Sequence, residues 1–388
     1  MVLPIFICRD ICIHLPKLNC GKLMKAIFIT MMIAYMGGNL YLFVRSLQQL
    51  SHLPLWGKVV FGILFWTMAL ALFVVFGARN VAMPEVVART MFWIGSAWMV
   101  FLLYMVLSLV VVDLIHFALP HFNGYYYALG LTLCLLVYGY WNYRNPDVVN
   151  LDVEIEKPLE KPLRIVAVSD VHLGYGTDKK TLQRYVKLIN EQQPDVILIG
   201  GDLIDNSIKP VVAQKMEEEL RELKAPLGIY MVAGNHEYIS GEKECVEFLQ
   251  QTPITFLCDS IVTLPCGVQI VGRDDLSNRR RKSLESLVAE CDSSKPIIVV
   301  DHQPYNLAKV DSLGVDFQFS GHTHHGQVFP LNLLTNLMYE QSCGYRRWSH
   351  AHIFVSSGLA LWGPPFRIGT DSDMAVITLY GNKNNPEE

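Results

Sequence analysis

The hydrophobic pattern of the chain changes near residue 144. Before this point, four stretches of 19 to 23 residues carry no charged side chain: Ala26–Val44, Val59–Ala78, Thr90–Val112 and Phe122–Tyr143. A helix that crosses the hydrocarbon layer of a bilayer needs about 20 apolar residues, and Trp and Tyr gather near several ends of these stretches, as they do at membrane interfaces. We therefore predict an N-terminal tail over residues 1–25 and four transmembrane helices over residues 26–144. Four successive buried helices of a soluble domain are the less favoured alternative.

Beyond residue 144, apolar runs of strand length alternate with amphipathic stretches. Residues 145–163 form a linker with a first edge strand, because Leu151, Val153 and Ile155 alternate with acidic residues. The later apolar runs predict strands at 164–169, 196–199, 228–232, 268–271, 297–300, 317–319, 353–356 and 374–379. Amphipathic stretches predict helices at 179–191, 211–224, 242–250 and 282–290. This alternation is typical of an α/β fold, which we assign to residues 164–388, with mixed sheets toward its end.

Charge separates the same two regions. Residues 1–144 contain 12 charged side chains and a net charge of +6, whereas residues 145–388 contain 56 and a net charge of −10. The second region is about as charged as a soluble domain and is long enough to bury its own core. Its acidic balance argues against a nucleic-acid partner, because phosphate backbones attract basic surfaces. The nine cysteines form no C-x-x-C pair, which argues against a zinc ribbon and agrees with a reducing compartment.

Lysine and arginine are distributed unevenly between the predicted connections. Ten fall in the tail, in the second connection and just after the fourth predicted helix, and two fall in the remaining connections. Because short loops rich in Lys and Arg stay in the cytoplasm, we predict a multi-pass membrane protein whose termini and α/β domain are cytoplasmic. The predicted helices hold almost no ionisable residue, which favours an anchor over a transport path. Met24 is an alternative start to Met1, and we expect residues 1–23 to be an upstream extension without a role.

Five polar motifs stand where predicted strands end, the usual place for ligand sites in α/β sheets. They are Ser169-Asp170-Val171-His172, Gly200-Gly201-Asp202, Gly234-Asn235-His236-Glu237, Asp301-His302-Gln303-Pro304 and Gly321-His322-Thr323-His324. Each alone is weak evidence, because a single polar residue after a strand is more often a turn or a cap. Together they offer two aspartates, one asparagine and four histidines, with His236 left over.

Carboxylate and imidazole ligands suit divalent ions such as Mn, Fe, Zn or Co. The spacing Asp170-x-His172 places both side chains on one side of an extended segment, and His322-x-His324 does the same. Seven ligands with one bridging carboxylate would furnish two adjacent metal sites. Such a pair suits phosphoryl chemistry, because it clamps the phosphate, lowers the pKa of a water between the ions and aligns that water for in-line attack.

The order D-x-H, G-D, G-N-H-E, H and G-H-x-H resembles that of the calcineurin-like metallophosphoesterase superfamily, and G-H-T-H-x-G-Q after a multi-span anchor is similar to its membrane-anchored branch. The resemblance implies a four-layer αββα sandwich with two divalent ions (Mn, Fe, Zn, Ni or Co) at the strand ends. It implies the following ligands: Asp170, His172, Asp202 and His324 for one ion, and Asp202, Asn235, His302 and His322 for the other. In that arrangement His236 lies over the phosphate and assists the leaving group as an acid or a charge stabiliser.

Two positions depart from the pattern of this branch. His325 stands where the branch commonly has Gly, and Asp301 precedes the histidine of the fourth motif in place of a small or apolar residue. His325 is a candidate for substrate binding, although an exposed loop histidine is the favoured interpretation. Arg367 is a second candidate, as a contact of the substrate phosphate. Asp205 is a candidate for hydrogen bonding to a ligand, although an ordinary loop residue is the favoured interpretation.

The leading hypothesis is a membrane-anchored, metal-dependent hydrolase of a phosphodiester, phosphomonoester or pyrophosphate. Because the spans would hold the site at the bilayer, a lipid-linked substrate such as UDP-diacylglucosamine is a candidate, by analogy with related members of the superfamily. The alternative is a tethered phosphodiesterase of broad specificity that acts on soluble substrates. A non-catalytic scaffold is disfavoured because all seven ligands are present, and a transporter is disfavoured because the spans lack charge.

Overall fold

The computed structural model describes residues 20–77, 83–119 and 121–382. By its internal contacts the chain divides into two compact units. One unit comprises Met1–Trp141 and Gly363–Phe366, and the other comprises Asn142–Trp362 and Arg367–Glu388. The predicted tail over residues 1–25 falls largely outside the described residues, as does Arg79 of the predicted second connection.

Four long helices lie in the N-terminal part of the described chain: α1 (Cys20–Gln49), α2 (Leu55–Gly77), α3 (Glu85–Ala118) and α4 (Tyr125–Arg144). Three of them contain a segment that is long and apolar enough to cross a membrane: Phe28–Gln49, Leu55–Val75 and Glu85–Ala118. The prediction of four spans is therefore corrected to three candidates. The stretch predicted as the fourth span does form the 20-residue helix α4, but its six tyrosines, one tryptophan and one asparagine make it less apolar than the others.

Polar side chains of these helices form pairs across the unit. The buried Trp98 donates its Nε1–H to Asn39 Oδ1 at 2.9 Å. Arg45 Nη2 lies 2.7 Å from Asp113 Oδ1. These two charged residues directly follow the first and the third predicted spans. Leu42, Phe65 and Met105 are among the apolar residues that pack in the core of the unit. The helices thus bury a core of their own.

The second unit contains two six-stranded sheets. The strands are β1 (Asp147–Ile155), β2 (Leu163–Val168), β3 (Val196–Ile199), β4 (Ile229–Val232), β5 (Ile254–Leu257), β6 (Ser260–Thr263), β7 (Gln269–Gly272), β8 (Ile297–Val300), β9 (Phe317–Ser320), β10 (Gly344–Arg347), β11 (His352–Val355) and β12 (Asp373–Gly381). Their order is β1-β12-β2-β3-β4-β5 in one sheet and β10-β11-β9-β8-β7-β6 in the other. β1 is an edge strand, as predicted. β12 is antiparallel to β2, and β10 is antiparallel to β11, so both sheets are mixed.

The helices of this unit lie mainly between strands. They are α5 (Lys179–Glu191), α6 (Lys209–Ala213), α7 (Glu217–Leu220), α8 (Asn235–Ser240), α9 (Glu242–Leu249), α10 (Leu284–Val288), α11 (Leu307–Ser312) and α12 (Leu331–Met338), with a 3₁₀ turn at His324–Gly326. The predicted helix over 211–224 is wrong as one element. It is interrupted because Lys215 has a φ of +52°, which a right-handed helix does not accommodate.

The central strands are buried on both faces, which explains their continuous apolar runs. Ile165 of β2 and Phe319 of β9 belong to a core between the two sheets. The next residue of β2, Val166, belongs to a second core together with the residues of α5. Val299 of β8 packs in a third core with Leu307 of α11. The order helix, sheet, sheet, helix confirms the αββα fold class that the resemblance implies.

Candidate metal centre

The five polar motifs meet at the carboxyl ends of β2, β3, β4, β8 and β9. Backbone hydrogen bonds tie the loops together, since Asp170 N donates to Gly201 O at 3.0 Å and Gly321 N donates to His302 O at 2.9 Å. The two sheets are joined at this end as well, because His322 N donates to Asp170 Oδ2 at 3.0 Å. Each loop is therefore held by its neighbours and not by its own turn alone.

Asp170, His172 and His324 form one group of converging ligand atoms. Asp170 Oδ1 lies 3.3 Å from His324 Nε2 and 3.7 Å from His172 Nε2, and the two Nε2 atoms lie 3.2 Å apart. All three side chains are buried, and Asp170 Oδ1 accepts no hydrogen bond from the residues that the structure describes. A buried carboxylate oxygen without a donor is costly, so this donor set fits a divalent cation.

Asp202, His302 and His322 form a second group. His302 Nε2 lies 3.2 Å from Asp202 Oδ2 and 3.2 Å from Asn235 Oδ1. The other ring nitrogen of His302, Nδ1, lies 2.7 Å from Gly200 O. A proton on Nδ1, donated to that carbonyl, leaves the lone pair on Nε2, which is the tautomer that a metal ligand requires.

Asp202 lies between the two groups. Its Oδ2 is 3.2 Å from His302 Nε2 and 3.8 Å from His172 Nε2. Asp202 also forms a third convergent group with His172 and His236. The structure thus brings together all seven residues that the motifs single out, in two groups around one shared carboxylate. Their roles as ligands remain a prediction.

The backbone at this centre is strained. Five of the seven predicted ligands have a positive φ: Asp170 (+56°), His172 (+47°), Asp202 (+52°), His322 (+72°) and His324 (+48°). For a residue other than Gly this conformation costs on the order of 1–3 kcal/mol, and it clusters at functional sites where the surrounding fold enforces it. The spacing of the motifs does not predict this feature.

Glycine is required where neighbouring loops approach the aspartates. A Cβ on Gly321 would lie 2.0 Å from Ser169 Oγ and 2.2 Å from Asp170 Oδ2. A Cβ on Gly234 would lie 2.2 Å from Asp202 Oδ1. These distances are far inside van der Waals contact, so any side chain at either position must displace a predicted ligand.

We expect Gly321→Ala to lower turnover by about 10- to 100-fold, the range typical when support of a metal ligand is lost. The reason is that the added methyl group displaces Asp170. The matched control is Gly314→Ala, where a Cβ meets no atom within 4 Å although φ is +71°. The variants are compared by bound metal and turnover; equal losses in both would mean that general strain, and not displacement of Asp170, is responsible.

Opposite charges set the pKa values within the centre. Burial tends to raise the pKa of Asp170, yet His324 and His172 hold it well below its ordinary value. Burial tends to lower the pKa of His172, yet Asp170 and Asp205 raise it to about 10. Burial lowers the pKa of His324. Asp170 is therefore ionised, which is the form that binds a cation.

His236 lies beside these ligands and is oriented by Asp205. Its Nδ1 is 3.1 Å from Asp205 Oδ1, and the same oxygen is 3.5 Å from His172 Nδ1. The backbone N–H of His236 donates to Asp202 Oδ1 at 2.8 Å. The interpretation of Asp205 as an ordinary loop residue is therefore wrong: it is buried and contacts two histidines of the centre.

Glu237, the last residue of the G-N-H-E motif, fixes the loops of the centre. Its Oε2 accepts hydrogen bonds from Gly234 N at 2.7 Å and Asp202 N at 3.0 Å, and its Oε1 accepts one from Ile204 N at 2.9 Å. Burial and the nearby Asp202 raise the pKa of this carboxyl to about 7. Glu237 belongs to the G-N-H-E motif, but the motif alone does not indicate this role.

Arg367 is placed inside the protein and not at a substrate surface. Its side chain is fully buried, and burial lowers its pKa to about 10. Nη1 donates to His324 O at 2.6 Å, Nη2 to Gly358 O at 3.2 Å and Nε to Ser372 Oγ at 3.2 Å, and Nη2 also donates to Ser357 O. The predicted contact with substrate phosphate is corrected: Arg367 holds the backbone of a predicted ligand.

Arg367→Lys tests this correction. A lysine cannot reproduce the forked hydrogen bonds, so we expect the unfolding temperature to fall by several degrees, since about 1 kcal/mol corresponds to roughly 2–4 °C for a unit of this size. The control is Arg221→Lys, an exposed arginine whose Nε donates to Gln251 O at 2.7 Å. A raised KM with an unchanged unfolding temperature would instead indicate a substrate contact.

His325 lies in the turn between the predicted ligand His324 and α12. Its φ is +46°, and its side chain is half-buried. Burial and Arg367 lower its pKa, and its side chain interacts with Asn336 of α12. The favoured interpretation as an exposed loop histidine is therefore wrong, whereas a contact with substrate remains a prediction.

Comparison with known proteins identifies the domain. The family described as calcineurin-like phosphoesterase matches residues 163–326, which include all five motifs. An uncharacterized metallophosphoesterase of Helicobacter pylori (strain J99) is 33% identical over 261 residues, which cover 65% of this chain and 70% of the relative. A transmembrane protein with metallophosphoesterase domain from Danio rerio is 34% identical over 271 residues, which cover 65% of this chain and 62% of the relative.

One solved structure to which this chain is similar is that of a dimetal phosphatase from Danio rerio. It is 13% identical in sequence, covers 56% of this chain and 99% of its own, and superposes with a TM-score of 0.37.

Proposed function

The chain belongs to the calcineurin-like metallophosphoesterases, and we propose that it is a membrane-associated hydrolase that cleaves a phosphoester bond with two divalent metal ions. The observation that carries the proposal is the convergence of two ligand groups, buried except for the half-buried His322, on the shared carboxylate of Asp202. In the first group, Asp170 and His172 follow β2, and His324 lies in the 3₁₀ turn. In the second group, Asp202 follows β3, whereas His302 and His322 follow β8 and β9 of the other sheet. A mixed carboxylate and imidazole set of this kind accepts Mn, Fe, Zn, Ni or Co.

The seven motif residues divide into one set for each ion, with one residue shared: Asp170, His172 and His324 for the first, Asn235, His302 and His322 for the second, and Asp202 for both. When bound, the ions supply Lewis acidity that offsets the charge of the phosphate and activates water for in-line attack. The protein's part is to keep the ligand atoms in place, through the backbone bonds between loops and through Glu237.

His236 acts on the leaving group. Burial tends to raise the pKa of Asp205, but His172 and His236 hold it well below its ordinary value, and the Oδ1 of this ionised carboxylate lies 3.1 Å from His236 Nδ1. The imidazole then acts through Nε2, donating a proton or a hydrogen bond to the oxygen that departs as the phosphorus–oxygen bond breaks.

The substrate is a phosphomonoester, a phosphodiester or a pyrophosphate, and we favour a lipid-linked one. Three helices apolar enough to cross a membrane support this choice, because they would keep the centre close to lipids. A lipid-linked sugar nucleotide is one candidate, by analogy. The second candidate function is a tethered phosphodiesterase that acts on soluble substrates.

We further propose that the chain crosses the membrane several times and places the catalytic unit in the cytoplasm. The excess of Lys and Arg in the tail and after α4 supports this orientation.

The exposed Cys258 and Cys266 of the catalytic unit test the orientation. A membrane-impermeant maleimide should label them only after the cells are permeabilised. Labelling in intact cells would contradict a cytoplasmic catalytic unit.

The hydrolase proposal is tested with the full chain purified in detergent, stripped with EDTA and assayed with and without Mn²⁺. The substrates are bis-p-nitrophenyl phosphate, p-nitrophenyl phosphate and a lipid-linked pyrophosphate. We expect hydrolysis that depends on Mn²⁺, fastest for the lipid-linked substrate. Faster turnover of the soluble diester would favour the tethered phosphodiesterase, and a chain that binds no metal and hydrolyses none of the three would overturn the proposal.

A further inference from the structure

The exposed apolar residues of the catalytic unit are concentrated in one segment. Among the described residues after 141, seven large hydrophobic side chains are exposed, and six of them fall between residues 329 and 345: Phe329, Leu331, Leu333, Leu334, Leu337 and Tyr345. The seventh is Val212 in α6. Isolated exposed apolar residues are ordinary, whereas a contiguous group marks a surface that contacts something apolar.

The segment centres on α12, whose sequence is LNLLTNLM. None of its eight residues is buried in the structure, and Leu337 is 86% exposed. By contrast, α5 buries five residues against its sheet. The four leucines of α12 remain exposed, so their burial in the protein core does not offset the entropy cost of ordering this helix. It therefore fits an environment that covers these leucines from outside.

α12 is attached to the metal centre. A Cβ on Gly326, at the end of the turn that contains His324, would lie 2.4 Å from Asn332 N and 2.6 Å from Leu331 O, so the start of the helix is held against that turn. Farther along, the side chains of Asn336 and Ser342 are hydrogen-bonded. The apolar surface is thus fixed beside predicted metal ligands.

Basic and aromatic residues follow the apolar helix. Strand β10 exposes Tyr345, Arg346 and Arg347, and the Arg346 guanidinium lies 5.0 Å from the centre of the Trp348 ring. Glu340 is the single acid between residues 329 and 348. Leucines beside Tyr, Trp and Arg are the combination found where a protein enters the interface of a bilayer that contains anionic lipids.

We propose that residues 329–348, termed the α12 surface, dock onto the lipid bilayer. The occupant is a bilayer because the same chain carries helices apolar enough to cross one, and because the two arginines complement anionic headgroups. Four leucines enter the interface, and the arginines lie at headgroup level. Docking keeps the metal centre beside the bilayer, because the turn that contains His324 lies against the start of α12. A role of α12 in access of a lipid-linked substrate rests on the proposed function.

Photocrosslinking identifies what covers the α12 surface. The photoreactive residue p-benzoylphenylalanine replaces Leu337 in the full chain, which is reconstituted in nanodiscs of phosphatidylcholine and phosphatidylglycerol and irradiated. The matched control carries the same residue in place of Val212, which is 53% exposed in the same unit. We expect lipid adducts at position 337 and none above background at position 212.

A second substitution tests the contribution of the neighbouring leucine. Leu334→Asp in the chain with the probe at 337 should lower the yield of lipid adducts about tenfold or more, because removing one buried leucine from the interface corresponds to roughly that factor. Val212→Asp in the same chain should leave the yield unchanged. Hydrogen exchange in β2 and β9 verifies that each variant is folded.

Other products would overturn the proposal. A crosslink between two chains would make the α12 surface a dimer interface, and a crosslink within one chain would mean that another part of this protein covers it. Absence of any adduct at 337 would mean that the surface faces water. The experiment does not use turnover, so failure of the hydrolase proposal and failure of bilayer docking are distinguished.

Discussion

Asp202→Asn should lower turnover of bis-p-nitrophenyl phosphate by more than about 100-fold, because loss of a mere supporting partner of a metal ligand already costs 10- to 100-fold. The substitution removes the negative charge shared by both ligand groups. It keeps an oxygen that can still accept the hydrogen bond from His236 N, which is 2.8 Å from Asp202 Oδ1 in the structure. The fold should therefore survive while metal binding weakens. Turnover and metal content are measured on the same preparation.

The control for this charge change is Asp178→Asn. Asp178 caps α5 by accepting a hydrogen bond from Thr181 N at 3.0 Å, and Asn is about as good an N-cap as Asp. This variant should retain both turnover and metal. If Asp202→Asn were as active and as metal-rich as Asp178→Asn, the shared-carboxylate account would be wrong.

His236→Gln should lower kcat by about 10²–10⁴-fold, the usual contribution of a positioned general acid, while the bound metal is retained. The reason is that His236 stands outside the proposed ligand set and acts on the leaving group. The loss should be larger for an alkyl phosphodiester than for a p-nitrophenyl ester, because p-nitrophenolate departs without a proton. Asp205→Asn should show the same dependence on the leaving group, but with a smaller loss.

The matched control is His350→Gln, since the His350 side chain is 63% exposed and lies outside the metal centre. It should be fully active. Loss of metal from His236→Gln would assign His236 as a ligand instead, in keeping with its convergence with His172 and Asp202. Equal losses with both leaving groups would contradict its role as an acid.

The sequence predicts those strands and motifs that can be recognised from a few consecutive residues. The central strands are recognisable because they are buried on both faces, and the polar motifs are recognisable because each follows such a strand. β5, β6 and β10 are not predicted, because they are short and partly or largely exposed and so lack a continuous buried apolar run. α4 has the uncharged length of a span, but its tyrosines lower its apolar character.

The spacing of residues along the sequence does not predict roles that arise from contacts between distant segments. Asp205 follows Asp202 by three residues, yet only the fold brings it within 3.1 Å of His236 Nδ1. By sequence alone Arg367 is a candidate contact of the substrate phosphate, but in the structure its guanidinium donates to carbonyl groups that include His324 O. The left-handed conformation of His322 and other ligands is likewise imposed by neighbouring loops.

Titration of the metal-free full chain with Mn²⁺ tests the central claim most directly. Turnover of bis-p-nitrophenyl phosphate is followed at each step, and bound metal per chain is measured by elemental analysis. The two-ion account predicts that turnover rises steeply only as the second equivalent binds and then reaches a plateau, and that Asp202→Asn never reaches this plateau. Full activity at one equivalent, or binding of no metal at all, would contradict it.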